Sequence, residues 1–291
     1  MKHLLVAVLA TVLLIGVRSA WAGDSITLGF PEFEKTMNVL SSSHPAAVFI
    51  RRATVARLTD ALPDNSFRMM LSDSMTSSSD RLTWSFRISP LAVFSDRAPV
   101  LASDVEYSLT RCKEAGLLTG VERVDSEVVI GDGRSSQWVR VHLSAPADAK
   151  SELPLQLSAC PILERHSSKI FGKDLGSGTN IVSAGEYAFA DFKAGREITL
   201  RRLRSARSHT SATGADNINL RAFKDSTGAL AALRAGTIDA FLSDDAPVIE
   251  RAKKDETLLA LECPIYTVIL RKGLKITCPE WAIASEIRYL S

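Results

Sequence analysis

The sequence predicts an α/β protein with mixed sheets, and three stretches carry that prediction. In the first, Leu82, Trp84, Phe86 and Ile88 alternate with Thr83, Ser85 and Arg87, the period of a half-buried strand. A break at Ser89-Pro90 and a turn-rich loop over Phe94-Ser95-Asp96-Arg97-Ala98-Pro99 follow. Ser103 and Glu106 then read as a capping box, and Val105, Leu109 and Cys112 recur at helical spacing. In the second stretch, Val121 to Val129 and Trp138 to Leu143 are strands joined at Gly131-Asp132-Gly133-Arg134, a hairpin signal. In the third, Ile218 to Phe223 is a strand and Ser226 to Ala235 a helix with Leu230 and Leu233 inward. Gly236 closes that helix, and Ile238-Asp239-Ala240-Phe241 is the next strand.

The remaining elements fall between these. Met1-Lys2-His3 is a basic start, Leu4 to Val17 is apolar, and Ala20-Trp21-Ala22 has the form of a cleavage site. Residues 1–22 therefore read as a secretory signal peptide. No Cys follows the site, so no lipid anchor is expected there. Ile26 to Phe30 is a strand ended by Pro31. Ala46 to Leu62 carries an apolar stripe at helical spacing, closed by Pro63-Asp64-Asn65. Ser72 to Asp80 reads as a Ser-rich surface turn, and Ala145 to Leu157 as a helix interrupted at Pro154. Gly176-Ser177-Gly178 lacks the Gly-Lys-Ser/Thr ending of a phosphate loop and reads as a turn. Tyr266 to Leu270 is a further strand and Pro279 to Leu290 a further helix.

Composition excludes several function classes. Cleavage after Ala22 would remove Lys2 and Arg18 and no acid, which leaves basic and acidic residues equal in number. Nucleic-acid binding needs a net basic surface, so it is not expected. The one basic run, Arg201, Arg202, Arg204 and Arg207, reads as a solvated strand and loop, or as an anion- or partner-docking patch. Cys112, Cys160, Cys263 and Cys278 include no C-x-x-C pair; they are buried small hydrophobes or disulfide partners, in any of three pairings. No H-E-x-x-H, G-x-S-x-G or P-loop is present. His44, His142, His166 and His209 lie without a Cys or carboxylate at metal-ligand spacing. No enzyme activity, cofactor or metal is expected.

Two of these stretches also carry a family resemblance. Trp84 to Ile88, Val93 to Asp96, Ala98 to Val100, Ala102 to Val105 and Ser108 to Arg111 match, in order, the pattern of the family 5 extracellular solute-binding proteins. Ala184-Gly185-Glu186-Tyr187, Phe192 to Gly195 and Ala229 to Asp239 resemble later segments of the same family. The chain departs from the pattern at Arg97, where the family has Gly, and Asp80-Arg81-Leu82-Thr83 stands for the family's Asp-Gly-Leu-Thr/Ser. Arg97 strains the loop if the position needs positive φ.

The resemblance implies a periplasmic binding protein of the type II-like class. Residues 23–245 would form its first lobe, and residues 246–291 the hinge and the start of a truncated second lobe, since family members run to about twice this length. It implies capture of a small solute, with peptide the expected class, between two lobes that close by hinge motion. Delivery would be to an ABC-transporter permease from the periplasm. Ligands in open α/β sheets collect beyond the carboxyl ends of strands. That points to Phe30, Glu32 and Phe33 after the first strand, and to Asp244 and Asp245 after the strand that in the resembled family leads across to the second lobe. Each has a plainer reading: a strand end with a solvated Glu, and caps for the helix near Pro247. An unfinished lobe would expose apolar surface, which dimerisation is one way to cover. The alternative is that a chain of this length captures no solute and serves as an interaction module or is a remnant. An exported hydrolase is a third, weaker reading.

Overall fold

In the computed structural model of the chain, the described residues are 25–33, 37–62, 66–131, 133–146, 152–203, 215–263 and 266–274. The expected signal peptide, the helix at 279–290, Cys278, Arg204 and Arg207 lie outside them. In chain order the elements are β1 (Ser25–Pro31), α1 (Pro45–Thr54), β2 (Thr59–Ala61), β3 (Phe67–Met69), β4 (Ser72–Ser77), β5 (Thr83–Ile88), α2 (Ala102–Glu114) and β6 (Val121–Gly131). Next are β7 (Arg134–Leu143), α3 (Glu152–Leu157), α4 (Arg165–Phe171), β8 (Tyr187–Lys193), β9 (Glu197–Arg202) and β10 (Asn217–Phe223). The last are α5 (Ser226–Arg234), β11 (Ala240–Ser243), α6 (Ala246–Lys253), β12 (Leu258–Glu262) and β13 (Thr267–Arg271).

Two larger sheets divide the work. The seven-stranded sheet runs β12-β13-β11-β1-β10-β9-β8. At its centre β1 pairs in parallel with β10 on one side and β11 on the other. Ile26, Leu28 and Phe30 are buried there, with α1 packed over them through Ala46, Ala47 and Ile50. Gly29 allows the close approach of β11: a Cβ on it would stand 2.8 Å from Cβ of Phe241. The second sheet is antiparallel, β4-β5-β7-β6. The inward residues Trp84 and Phe86 of β5 and Val139 and Val141 of β7 form one core with Val105, Leu109 and Cys112 of α2. That is the strand alternation and helical spacing of the sequence expressed as packing.

Several elements differ from their sequence expectation, each for a local reason. The stripe over Ala46 to Leu62 is not one helix: α1 stops at Thr54, Val55 turns extended, and residues 59–61 form β2. Gly185 blocks continuation by packing on the last turn. Its N–H donates to the Thr54 carbonyl at 3.0 Å, and a Cβ there would stand 2.2 Å from the Thr54 carbonyl carbon. Ser103 is not the cap of α2. The cap position is Leu101, two residues earlier, and Asp104 caps it from behind: its carboxylate accepts from the N–H of Leu101 at 3.0 Å and of Arg165 at 3.1 Å. Burial raises the Asp104 pKa, and these two donors work against that rise. Glu106 instead accepts from the Ser126 hydroxyl. The Ser-rich run is strand β4, and its turn lies later, over residues 78–82. Pro154 sits in the first turn of α3, where no N–H is required. Finally, the strand expected to open a second lobe lies beside β11 in the first sheet. Val268, Ile269 and Leu270 are all buried, so both faces of that strand need cover, and a place inside this sheet supplies it.

The two places where Arg stands for the family's Gly are the two non-glycine residues of positive φ among those described. Arg81 has φ 58° and Arg97 has φ 73°. Each closes a tight turn, with Arg81 N–H donating to Ser78 at 3.0 Å and Arg97 N–H donating to Phe94 at 2.9 Å. A left-handed residue with a side chain is strained by about 1–2 kcal/mol, part of which glycine returns as unfolded-state entropy. Arg97→Gly and Arg81→Gly should therefore each stabilise the chain by roughly 0.5–1 kcal/mol, additively, in urea denaturation.

A buried ion cluster ties α1 to β2 and β3. Asp60 is 2% exposed and receives Arg52 at 2.8 Å, Arg68 at 2.7 Å and Arg57 at 3.6 Å. Burial acts to raise its pKa, but the three guanidinium groups outweigh burial and hold it below its ordinary 3.8. A depressed carboxyl pKa stabilises the fold above the unfolded pKa, and that contribution is lost as pH falls through the folded value. Removing the charge takes a buried carboxylate away from these guanidinium groups, so Asp60→Asn should destabilise by about 3 kcal/mol. The variant's stability should also vary less than wild type's between neutral pH and pH of about 3, as read by denaturation at each pH.

Candidate functional site

The centre of the seven-stranded sheet makes one carboxyl edge. In the β1–β10 register, Pro31 stands opposite Phe223, and β11 runs parallel on the other side of β1. Three strands therefore end together, at Phe223, Pro31 and Ser243. The residues just beyond them are Glu32, Lys224, Asp225, Asp244 and Asp245. The helices α5 and α6 start at this edge. Strand β13 runs antiparallel to β11 with Thr267 opposite Ser243, which brings Tyr266 to the same place.

These side chains differ in what they are free to do. Asp225 caps α5 by accepting from the Gly228 N–H at 2.7 Å, and Asp245 caps α6 by accepting from the Val248 N–H at 3.2 Å. The two caps are linked: Asp245 N–H donates to Ser243 Oγ at 3.1 Å, and Ser243 Oγ donates to Ser226 Oγ at 3.0 Å. Asp244 and Glu32 are exposed, and among the described residues neither carboxylate has an ion pair. The Tyr266 phenol senses the first of them: burial, and then the Asp244 charge, raise its pKa. Phe30 and Phe33 are interior residues, 2% and 4% exposed. Phe30 packs on Phe33 and Phe49 with ring centroids 6.4 and 5.8 Å apart, and Phe33 meets the His44 ring edge-on at 6.1 Å. His44 Nε2 is 3.0 Å from the Glu32 carbonyl oxygen, which fixes the backbone on which Glu32 stands.

Of the five residues singled out in the sequence, the fold thus brings Glu32, Asp244 and Asp245 to one edge and sets Phe30 and Phe33 behind it as support. Sequence reasoning missed Tyr266, Ser243 and Ser226. The partners of Tyr266 come from strand pairing and not from spacing, so no local signal could have marked it. A groove of about 550 Å3 lies elsewhere, along the outer strand β8 between Thr54, the Ser95-Asp96 turn and Ser183. It is the weaker candidate, because its buried hydroxyls are already engaged: Thr54 donates to the Ile50 carbonyl at 2.8 Å and Ser183 to the Ile162 carbonyl at 3.2 Å. Among the described residues no group of three or more His, Cys, Asp or Glu could hold a metal ion, and no helix is long and apolar enough to cross a membrane.

Residues 66–274 match the family described as bacterial extracellular solute-binding proteins, family 5 Middle. No curated protein matches the chain. Solved structures do. The binding protein MoaA in complex with mannopinic acid, from A.tumefacien R10, is 17% identical, with a TM-score of 0.66 over 82% of this chain and 49% of its own. The oligopeptide-binding protein AppA from Bacillus subtilis, in complex with a nonapeptide, is 18% identical, with a TM-score of 0.64 over 81% of this chain and 47% of its own. The ABC transporter substrate-binding protein CtaP from Listeria monocytogenes is 20% identical, with a TM-score of 0.64 over 84% of this chain and 49% of its own. At these identities the likeness is one of fold, and this chain spans about half the length of each structure.

If the Asp244 charge acts on Tyr266 as placed, Asp244→Asn should lower the Tyr266 titration midpoint without bringing it to the ordinary tyrosine value, because burial remains. Ultraviolet titration at alkaline pH, with Tyr266→Phe to isolate the signal, reads this directly.

Proposed function

Because the chain belongs to the bacterial extracellular solute-binding proteins of family 5, we propose that it captures a small solute at the carboxyl edge of the seven-stranded sheet and makes or breaks no bond. The observation that carries this reading is that three parallel strands end together where Glu32 and Asp244 stand exposed, with no ion pair among the described residues. An edge of this kind is the general ligand position in open α/β sheets. Two exposed carboxylates suit a solute with a positive group, such as the amino terminus of a peptide. Solved relatives in complex with peptides support that class: AppA with a nonapeptide, and OppA of Listeria monocytogenes with a peptide.

The cellular role extends the same reading. Residues 1–22 direct export to the periplasm, residues 23–245 form the first lobe, and residues 246–291 form the hinge and the start of a truncated second lobe. A second lobe closes on the edge, and the closed form delivers the solute to an ABC-transporter permease. The half-length match leaves a rival, in which a chain of this span captures nothing and serves as an interaction module.

A thermal-shift screen of the chain from Gly23 onward, against di- and oligopeptides, nickel chelates and sugars, separates the two. The expected result is a transition raised by peptides, since a ligand that binds only the folded state stabilises it by mass action. Glu32→Gln and Asp244→Asn should each weaken that binding by about tenfold, roughly 1.4 kcal/mol, and leave the unliganded transition in place. A cooperative transition that moves with no solute would favour the rival.

A further inference from the structure

Helix α1 is capped by a residue outside the usual set. Ser, Thr, Asp and Asn are the preferred caps, because a short side chain with an oxygen turns back onto the first free N–H groups and reaches no further. Ser41, Ser42 and Ser43 stand just ahead of the helix, yet the cap is His44. Pro45, in the first turn, holds His44 extended, with φ −57° and ψ 135°, and brings no N–H of its own to satisfy. The next N–H is that of Ala46, and it donates to His44 Nδ1 at 3.1 Å.

An imidazole has a second nitrogen on its far side. His44 Nε2 lies 3.0 Å from the Glu32 carbonyl oxygen. Glu32 stands one residue beyond the last pair of the β1–β10 ladder, Pro31 with Phe223, so the sheet offers that carbonyl no further partner. The Phe33 ring meets the imidazole edge-on at 6.1 Å. The two hydrogen-bond partners fix the proton. A backbone N–H only donates and a carbonyl only accepts, so Nδ1 carries the lone pair and Nε2 the hydrogen.

We propose that His44 is a positioning residue of the carboxyl edge: as the neutral Nε2–H tautomer it bridges the start of α1 to the end of β1, and so sets where the Glu32 carboxylate stands. Asp244 does not need this bridge, because it lies between β11 and the Asp245 cap of α6. Glu32 has left its ladder and does. Were His44 only a cap, any short polar residue would replace it. The consequence for solute rests on the capture proposed above; the bridge itself does not.

The two halves of the bridge separate by substitution. An Asn amide reaches as far as Nδ1, and a Gln amide as far as Nε2. His44→Asn should therefore keep the cap and lose Glu32, and His44→Gln should keep Glu32 and lose the cap. The test uses the full chain, isotope-labelled, in nuclear magnetic resonance at neutral pH. The wild-type His44 ring, assigned by its loss in His44→Asn, should carry its hydrogen on Nε2. The Ala46 amide should exchange about two- to tenfold faster in His44→Gln, the worth of one hydrogen bond, and not in His44→Asn. The Glu32 carbonyl-carbon signal should move in His44→Asn and return in His44→Gln. In peptide titrations His44→Asn should bind about two- to tenfold more weakly than wild type, and His44→Gln should recover most of that loss. A hydrogen on Nδ1 would overturn the proposal, as would the same change in both variants, or undiminished peptide binding by His44→Asn. The ring and backbone signals need no solute. If no peptide binds the wild-type chain, capture fails, and those signals still decide the bridge.

Discussion

Strand β1 cannot be satisfied by its neighbours in sequence, and the rest of the structure depends on that. Its two partners, β10 and β11, begin at Asn217 and Ala240, far along the chain, and both run parallel to it. Asp239 fastens the junction: its N–H donates to the Thr27 carbonyl at 2.8 Å, its carboxylate accepts the Thr27 N–H at 2.8 Å, and Arg271 of β13 donates to it as well. Until the unit from β10 to β11 exists, β1 has open ladders on both sides. Contacts of such long range are the slow part of folding. The same arrangement produces the shared carboxyl edge, so one constraint places both the core and the candidate site.

The antiparallel sheet and α2 are built in the opposite way. Two of the three strand pairings are local, the β6–β7 hairpin and the β4–β5 turn, and the third, β5–β7, joins them by setting Thr83 against His142. Two polar contacts join this layer to its surroundings without filling volume. The Asp60 cluster joins α1 to the β2–β3 pair, and Asp104 binds the starts of α2 and α4 together through the N–H groups of Leu101 and Arg165. Both acids are nearly fully buried, and both have the donors that a buried carboxylate requires.

Wherever hydrophobic period and turn chemistry agree, the sequence was legible. β5, α2, the β6–β7 hairpin and α5 with its Gly236 cap are found where periodicity puts them, and φ at Gly236 is 73°. Reading failed where a distant backbone overruled a local pattern. Ala46 to Leu62 has helical spacing throughout, yet Gly185 ends the helix at Thr54. Ser103 and Glu106 spell a capping box, yet Asp104 is the acid that caps. For the edge, Glu32, Asp244 and Asp245 could be named from the ends of strands, but Tyr266 could not.

By itself the sequence determined the α/β class, most strands and helices, the family, and the two turns where Arg81 and Arg97 sit at glycine positions. The class and the elements are consequences of side-chain period and backbone sterics, which act over a few residues; the family and the two glycine positions came from the resemblance. Only the tertiary structure decided that β12 and β13 complete the first sheet, that Asp245 is committed to a cap while Asp244 is not, and that Phe30 and Phe33 face inward. Each of those outcomes depends on which remote segment lies alongside, and strand pairing and core packing settle that only when the whole chain has come together.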